Sequence, residues 1–373
     1  MAPDVVIVGA GIVGAACAEA LSRTGMSVLV IDSGIAGAGT TASGMGHLVV
    51  MDDSPAQLAL TSYSTSLWSR LAPELPLSVE YDPCGTLWLA EDEQQLQLLH
   101  QKRGVYEHSG VATEFLSPAQ LASAEPNLRP GLAGALRVGG DGVIYPPNAA
   151  LALMQRAIAN GAELREGVRV HSIGGHTVVA GSDVISCGHV INAAGAHAAE
   201  LTPELPVVPR KGHLVITDRY PGFCHHQLVE LGYLASAHTM TTESVAFNVQ
   251  PRATGQLLIG SSRELAGWDA SVNRAIMRRM LERALDFMPA LARTSALRAW
   301  TGFRPATPDK LPLIGSWDEK PGLWIAAGHE GLGITTSLGT AALLTSLITD
   351  TEPPIDPAPY APSRLAAGVC DVT

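Results

Sequence analysis

Three glycines and one acid near the start of the chain have the spacing to hold a dinucleotide. In "VVIVGAGIVGAACAE", Gly9, Gly11 and Gly14 stand as GxGxxG. The first permits a tight turn, the second lets backbone approach a pyrophosphate, and the third allows close helix–strand contact. Ile12 and Val13 open the helix, whose N–H groups and partial positive charge suit phosphate. Asp32 ends the next apolar run, where a ribose-binding carboxylate belongs, with Ser33 beside it. Alone the spacing is a weak signal. Its strand–turn–helix–strand context favours dinucleotide binding over a chance glycine turn.

Two further stretches favour FAD over NAD. The segment "AGAGTTASGMGHLV" brings Thr40, Thr41, Ser43, Gly44, Met45, Gly46 and His47 directly after the second strand. Small residues and hydroxyls there let backbone run beside a bulky planar ring. A second glycine turn, "GHEGLGITT", opens another helix near the far end of the chain and contributes Gly331, Leu332, Gly333, Ile334 and Thr335. A second helix N-terminus aimed at the ligand suits the anionic edge of a reduced flavin. The remaining conspicuous residue is Arg304, in "TGFRPATPDKLPLIG". It is a lone cation among small and apolar residues, on what reads as a loop stiffened by Pro305, Pro308 and Pro312. Pro305 pushes Arg304 toward extended backbone.

The elements that must position these groups follow from periodicity. Residues 4–8 are a buried strand, a helix runs toward Gly25, and "SVLVID" is a second strand, which makes a βαβ unit. An amphipathic helix is expected over 54–72. "YDPCGTLWLAEDEQQLQLL" reads as strand, acidic turn and helix. "NAALALMQRAIANG" reads as a helix with Asn148 as N-cap and Gly161 at its end. Residues 206–263 are β-rich. A helix over 269–288 is expected to start at Asp269/Ser271 and stop before Pro289. The last unit is strand, glycine turn and long helix. The fold class is therefore α/β. A Rossmann-like FAD-binding domain is built from 1–50, 146–205 and 300–350. An inserted α+β substrate domain takes 51–145 and 206–299, and 351–373 form an irregular tail.

Composition sets the outer limits. The 373 residues suggest roughly two domains. With 46% hydrophobic and 16% charged residues, a sizeable core is within reach. A net charge of −11, with only the short clusters Arg278–Arg279 and Arg210–Lys211, argues against nucleic acid. No secretory leader or transmembrane run of about 20 apolar residues is read. The apolar run 334–348 carries four threonines and two serines and reads as a buried helix. Cys17, Cys84, Cys187, Cys224 and Cys370 are scattered without CxxC, which disfavours a disulfide framework, zinc or an iron–sulfur cluster and fits a reducing cytoplasm. His225 and His226, if on a strand, point to opposite faces and would not chelate one metal.

Jointly, Gly9–Gly14 with Asp32, "TTASGMG", "VINAAGAHA", "TGFRPATPDKLPLIG" and "GHEGLGITT" make the chain similar to the D-amino-acid oxidase superfamily, the group holding glycine and sarcosine oxidases. That resemblance implies a FAD domain of the glutathione-reductase type. It implies that Val170 packs near the adenine and that Ala193, Ala194 and Gly195 lie against the nucleotide. Asp32 departs from the family's usual glutamate by one methylene. The resemblance also gives Arg304 a partner: a substrate carboxylate, which a guanidinium can hold by two parallel charge-assisted hydrogen bonds. A structural arginine bonded to carbonyls or to Asp309 is the alternative. The chemistry implied is hydride transfer from the substrate α-carbon to flavin N5, with no strong protein base required.

"PRKGHLVITDRYPGF", "HQLVELGYL" and "VAFNVQPRATGQLLIGSSRE" resemble the FAD subunit of bacterial D-hydroxyproline dehydrogenases. This implies a cyclic imino acid such as cis-4-hydroxy-D-proline as substrate and a pyrroline carboxylate as product. It also implies partner subunits carrying further flavin or iron–sulfur centres. Tyr233, His238, Asn248 and Gln250 are the candidates to meet the substrate ring and its hydroxyl. His47 borders the flavin and is a candidate for a covalent tether of the kind some relatives use. The competing readings are a glycine- or sarcosine-type oxidase using oxygen, and a flavin-holding or electron-transfer subunit without its own substrate. An RNA-modifying flavoenzyme is disfavoured by the acidic balance.

Overall fold

A computed structural model describes residues 2–231 and 243–366 of the chain. Tyr233 and His238 lie outside the described residues. The apolar run VVIV forms strand Val5–Val8, buried at every position. It pairs in parallel with Val28–Ile31 and with His189–Asn192. Glu163–Arg165 and Leu323–Ala327 extend this sheet, and Leu313–Ser316 closes one edge antiparallel. Helices Ile12–Ser22, Pro146–Ala159 and Gly333–Ile348 contribute Leu21, Leu153 and Leu344 to the core on one face. A three-stranded antiparallel sheet, Val170–Ile173, Thr177–Ala180 and Asp183–Ser186, contributes to the core on the other. Covered on both faces, such strands read as continuous apolar runs rather than alternating ones.

The second sheet has eight strands. In spatial order they are Ala296–Ala306, Val208–Thr217, Leu257–Glu264, Glu243–Pro251, Gln227–Glu230, Thr86–Ala90, Gly134–Val138 and Thr113–Leu116. Helix Arg274–Phe287 buries Met280, Ala284 and Phe287 against it. Helix Glu93–His108 adds Leu99 and Tyr106 to a separate core with Trp88, Leu136 and Val229. Phe247 and Phe287 stack with ring centroids 4.4 Å apart.

Helix Pro55–Leu71 begins where its sequence allows. Ser54 accepts the Gln57 N–H at 3.1 Å, and Pro55 occupies the first position. The helix packs on Gly333–Ile348. There Trp68 is fully buried and its indole N–H lies 3.2 and 3.1 Å from the carbonyls of Ile334 and Thr335. Residues 55–71 therefore share the core of the parallel sheet, although they fall in the segment assigned from sequence to the substrate domain. The boundary at 300 likewise falls inside strand Ala296–Ala306, which pairs with Val208–Thr217 in the second sheet.

Three local expectations are corrected. Arg304 is on a strand, not a loop. Its proline neighbour is tolerated because Ala296–Ala306 is an edge strand. The helix at 146 starts at Pro146, so Asn148 is not its cap; the Asn148 amide donates to the Ser78 carbonyl at 2.7 Å. The helix expected from Asp269/Ser271 starts at Arg274. Asn273 is its cap, accepting from Ala275 and Ile276, while Asp269 and Ser271 bond each other in the preceding turn. The pair His225–His226 meets the buried Glu125, which accepts both backbone N–H groups and His226 Nδ1. Among the described residues no helix is long and apolar enough to cross a membrane.

Removing the Trp68 indole would leave a large void between two helices. Trp68→Ala should cost about 3–5 kcal/mol of unfolding free energy, read as a lowered urea midpoint at unchanged slope.

Candidate active site

A cleft of about 940 Å³ runs between the glycine turns and the second sheet. A chamber of about 70 Å³ adjoins it, and His47, Asn248, Glu330 and Gly331 border both. At one end of the cleft lie Gly9, Gly11, Ile12, Val13, Asp32, Ser33, Val170, Ala193, Ala194 and Gly195. Gly9 has φ +111°, and a Cβ there would stand 2.4 Å from the Ala193 carbonyl oxygen. Backbone meets backbone at this crossing, so only glycine fits. Asp32 accepts from the N–H of Ala10 (2.6 Å) and of Gly34 (2.7 Å), which braces the turn while its carboxylate borders the cleft. The Thr41 hydroxyl accepts the Ile12 N–H at 3.0 Å, so one N–H at the helix start is already engaged. Gly14 borders neither cavity. A Cβ on it would lie 1.9 Å from the Gly9 carbonyl, so it serves helix–strand contact.

Thr40, Thr41 and Ser43 to His47 line the middle of the cleft, and Gly331, Gly333 and Ile334 face them. Thr335 and Gln250 border neither cavity. They hold the Met45–Val49 segment in place instead. Gln250 Nε2 donates to the Met45 carbonyl at 2.6 Å, and the Thr335 hydroxyl donates to the His47 carbonyl at 2.9 Å. Leu332 borders only the chamber.

Arg304 borders the far end of the cleft. Its Nη1 donates to the Ser262 carbonyl at 2.9 Å. The guanidinium lies over Gly212, where a Cβ would come within 2.3 Å of Nη1. Gly212 and Gly302 are register partners on adjacent strands, as are Arg210 and Arg304. Arg210 and Arg263 border the chamber with Asp53, Lys310 and Glu330. Glu330 has a left-handed backbone, φ 48°. Its Oε1 lies 3.5 Å from Arg210 Nη1 and 3.7 Å from Arg263 Nε. Burial raises the Glu330 carboxyl's pKa, but Arg263, Arg304 and Arg210 outweigh that and hold it below the ordinary value. Three guanidinium groups thus gather around one carboxylate, a local excess of positive charge in a chain of net charge −11.

His47 is kept neutral. Burial, opposed by its bond to Gln227 and assisted by Arg304, lowers its pKa to about 4. Burial lowers His329 to about 3, and its Nε2 meets the Thr340 hydroxyl at 2.9 Å. Sequence reasoning missed Arg210, Arg263, Lys310, Asp53, Gln227 and Glu330. Only Glu330 carried a local signal, as a charge inside an otherwise apolar glycine turn.

The cleft fits a dinucleotide. Its walls cross backbone on backbone at Gly9 and Ala193, an acid stands at one end, and an uncapped helix start at Gly333 faces the middle. Both neutral histidines must gain protons on unfolding in acid, so stability present above pH 6.5 is lost as pH falls toward the folded values. For His47 this is worth about 3 kcal/mol at most. Thermal melts between neutral and acid pH should show a smaller loss in His47→Gln than in the parent chain.

Several known proteins are similar to this chain over most of its length. The chain is 30% identical to the hydrogen cyanide synthase subunit HcnC of Pseudomonas aeruginosa, over 97% of this chain and 96% of that one. It is 30% identical to a D-amino acid dehydrogenase of Xanthobacter autotrophicus, over 83% of this chain and 74% of that one. The crystal structure of glycine oxidase from Geobacillus kaustophilus superposes with a TM-score of 0.88 at 28% identity, covering 97% and 98% of the two chains. The model of the DAO family, FAD dependent oxidoreductase, matches residues 4–347. The chain belongs to the FAD-dependent oxidoreductase family.

Proposed function

We propose that this oxidoreductase acts on the carbon–nitrogen bond of an amino or imino acid, with a cyclic D-imino acid such as cis-4-hydroxy-D-proline as the preferred substrate. The observation that carries the reading is the excess of guanidinium charge where the cleft meets the chamber. An anionic substrate is drawn there and held with little competition from solvent. Arg304 receives the substrate carboxylate. Gly212 leaves room for the guanidinium to lie flat against the strand, and the Ser262 carbonyl fixes its orientation. The chamber walls Trp88, Val229, Met51 and Leu332 exclude water from the substrate's apolar carbons, and Asn248 and His47 offer it polar contacts.

FAD, when bound, supplies the two-electron acceptor for the C–H bond next to nitrogen. Gly9, Gly11, Asp32, Val170, Ala193 to Gly195, Thr40 to His47 and the 331–334 turn hold it. The protein's own part is alignment and desolvation. HcnC's name as a subunit supports an assembly in which electrons pass to a partner chain carrying flavin or iron–sulfur centres. A reducing cytoplasm suits the unpaired thiols of Cys17, Cys84, Cys187 and Cys224. The likeness to glycine oxidase supports a second reading, direct use of oxygen on glycine or sarcosine.

Anaerobic titration of the purified flavoprotein separates these. Bleaching by cis-4-hydroxy-D-proline, with slow recovery in air, is expected. Bleaching only by glycine or sarcosine, with rapid recovery and stoichiometric peroxide, would replace the preferred reading with the oxidase. Arg304→Ala should weaken substrate binding by about 100-fold, about 3 kcal/mol, at unchanged flavin content. Turnover unaffected by that change would overturn the role given to Arg304, and a flavin that no amino or imino acid bleaches would favour a scaffold without its own substrate. Gly212→Ala should act in the same direction more weakly, read as a raised KM.

A further inference from the structure

At the rim of the cleft two rings meet face to face. His197 and Trp268 stack with centroids 4.2 Å apart and planes 6° from parallel. Both border the cleft, and they come from opposite walls of it. His197 ends the one-turn 3-10 helix Gly195–His197, which follows strand His189–Asn192 of the parallel sheet. Trp268 lies on the connection between strand Leu257–Glu264 and helix Arg274–Phe287, in the body of the second sheet. Both rings reach solvent: Trp268 is 45% exposed and the His197 side chain 59%.

Each ring is braced from its own side. His197 Nδ1 lies 2.6 Å from Glu200 Oε1, three residues on. Trp268 stands edge-on to Phe303, with centroids 5.2 Å apart and planes at 65°. The residues that follow Trp268 are tied to the second sheet. Lys211 Nζ lies 3.4 Å from Asp269 Oδ2 and donates to the Ser271 carbonyl at 3.3 Å. The Thr301 hydroxyl donates to the Ala270 carbonyl at 2.7 Å. The two walls are also fastened together beside the rings, where the Thr40 hydroxyl donates to the Phe303 carbonyl. Anchored backbone on both sides leaves rotation of the rings as the way to part them. Exposed side chains change rotamer fast, and water can cover either ring face once they separate.

We propose that His197 and Trp268 form a clasp that retains FAD, closing the rim of the cleft and parting by side-chain rotation when the cofactor enters or leaves. His197 stands two residues beyond Gly195 at the nucleotide end, and Phe303, which backs Trp268, precedes Arg304 at the far end. The pair therefore links the two ends of the cleft across its rim. A ligand as long as a dinucleotide, lying along the cleft, has the closed pair across its exit. The stack joins protein to protein, so it slows entry and exit alike and adds little to affinity. The glycine turns do the opposite: they hold the nucleotide and set how tightly it binds. The clasp concerns the cofactor alone and does not depend on which substrate the chamber takes.

The test follows release of FAD from the purified full-length holoenzyme, read as the rise of free-flavin fluorescence after dilution. Trp268→Ala and His197→Ala should each speed release about tenfold, the loss expected for one aromatic pair. The double variant should be no faster than either single one. Trp268→Phe keeps a ring in place and should stay near the parent rate. The Kd for FAD, from equilibrium dialysis of the same proteins, should change far less than the rate. Release that is unchanged in both alanine variants overturns the proposal. A Kd that rises in step with the release rate also overturns it, because the rings would then be ordinary contacts. So does a double variant in which the two effects multiply, or a Trp268→Phe as leaky as Trp268→Ala. Flavin that stays with the chain after acid precipitation is tethered and needs no clasp, which overturns it as well. If Trp268→Ala does not fold, His197→Ala carries the comparison, since His197 is the more exposed ring. The readout needs no substrate, so a failed substrate titration would overturn the proposed function and leave this result standing.

Discussion

Strand Ala296–Ala306 has to satisfy two bodies of structure at once, and the site exists because it can. Along one edge it pairs with Val208–Thr217. Against the short helix Gly39–Ser43 it makes a contact so close that a Cβ on Gly302 would stand 2.4 Å from the Ser43 Cβ. The Thr40 hydroxyl donates to the Phe303 carbonyl at 2.8 Å, and the Trp300 indole donates to the Ser43 carbonyl at 3.3 Å. These contacts lock the second sheet onto the segment that lines the middle of the cleft. Arg304, two residues beyond Gly302, is thereby held at the cleft's far end by backbone rather than by a mobile loop. Rigid elements position a binding group more tightly than loops do.

The same register brings a cost. Arg210 and Arg304 are directly opposite each other, and like charges so placed destabilise a sheet. Glu330 offsets this from the second glycine turn, in a left-handed conformation that a residue with a side chain adopts only under constraint. Lys211, one residue along, points to the opposite face and is buried against Glu264 at 3.0 Å. Two adjacent cations in sequence thus enter two unrelated environments. The cleft-side cluster is the kind of locally unfavourable arrangement that persists where a ligand is to complete it.

What could be read from sequence divides along the same line. The glycine turns, the βαβ opening and the β-rich stretch over 206–263 are local patterns, and local patterns survive folding. Gly9 and Gly14 were legible because each is demanded by a neighbour a few residues away or by the adjacent strand. The Arg210–Arg263–Glu330 cluster was not, because it depends on strand order and register across three separate segments. Gln250 shows the limit from the other side. As a polar residue in the β-rich region it looked like a substrate contact, yet it turns to the Met45 carbonyl, where it shapes the cleft from behind. Asn148 and Asp269 misled for a simpler reason: both are good cap residues one turn away from the position that the chain uses.

On the proposed reading the site divides its work by charge. Positive groups gather where the cleft ends, and burial keeps His47 neutral beside them. A protonated histidine there would add to a field already positive and compete for the same carboxylate. Neutral, it can act only through the direction of its hydrogen bonds. That direction is set less by the ring than by its partners, because the hydrogen bond made by one nitrogen decides which of the two carries the proton. It has to be imposed by whatever holds the far nitrogen, here an amide that is itself reversible. The Gln227 amide is that holder: its Oε1 lies 2.6 Å from His47 Nδ1, and its Nε2 donates to the buried Thr86 hydroxyl at 3.2 Å.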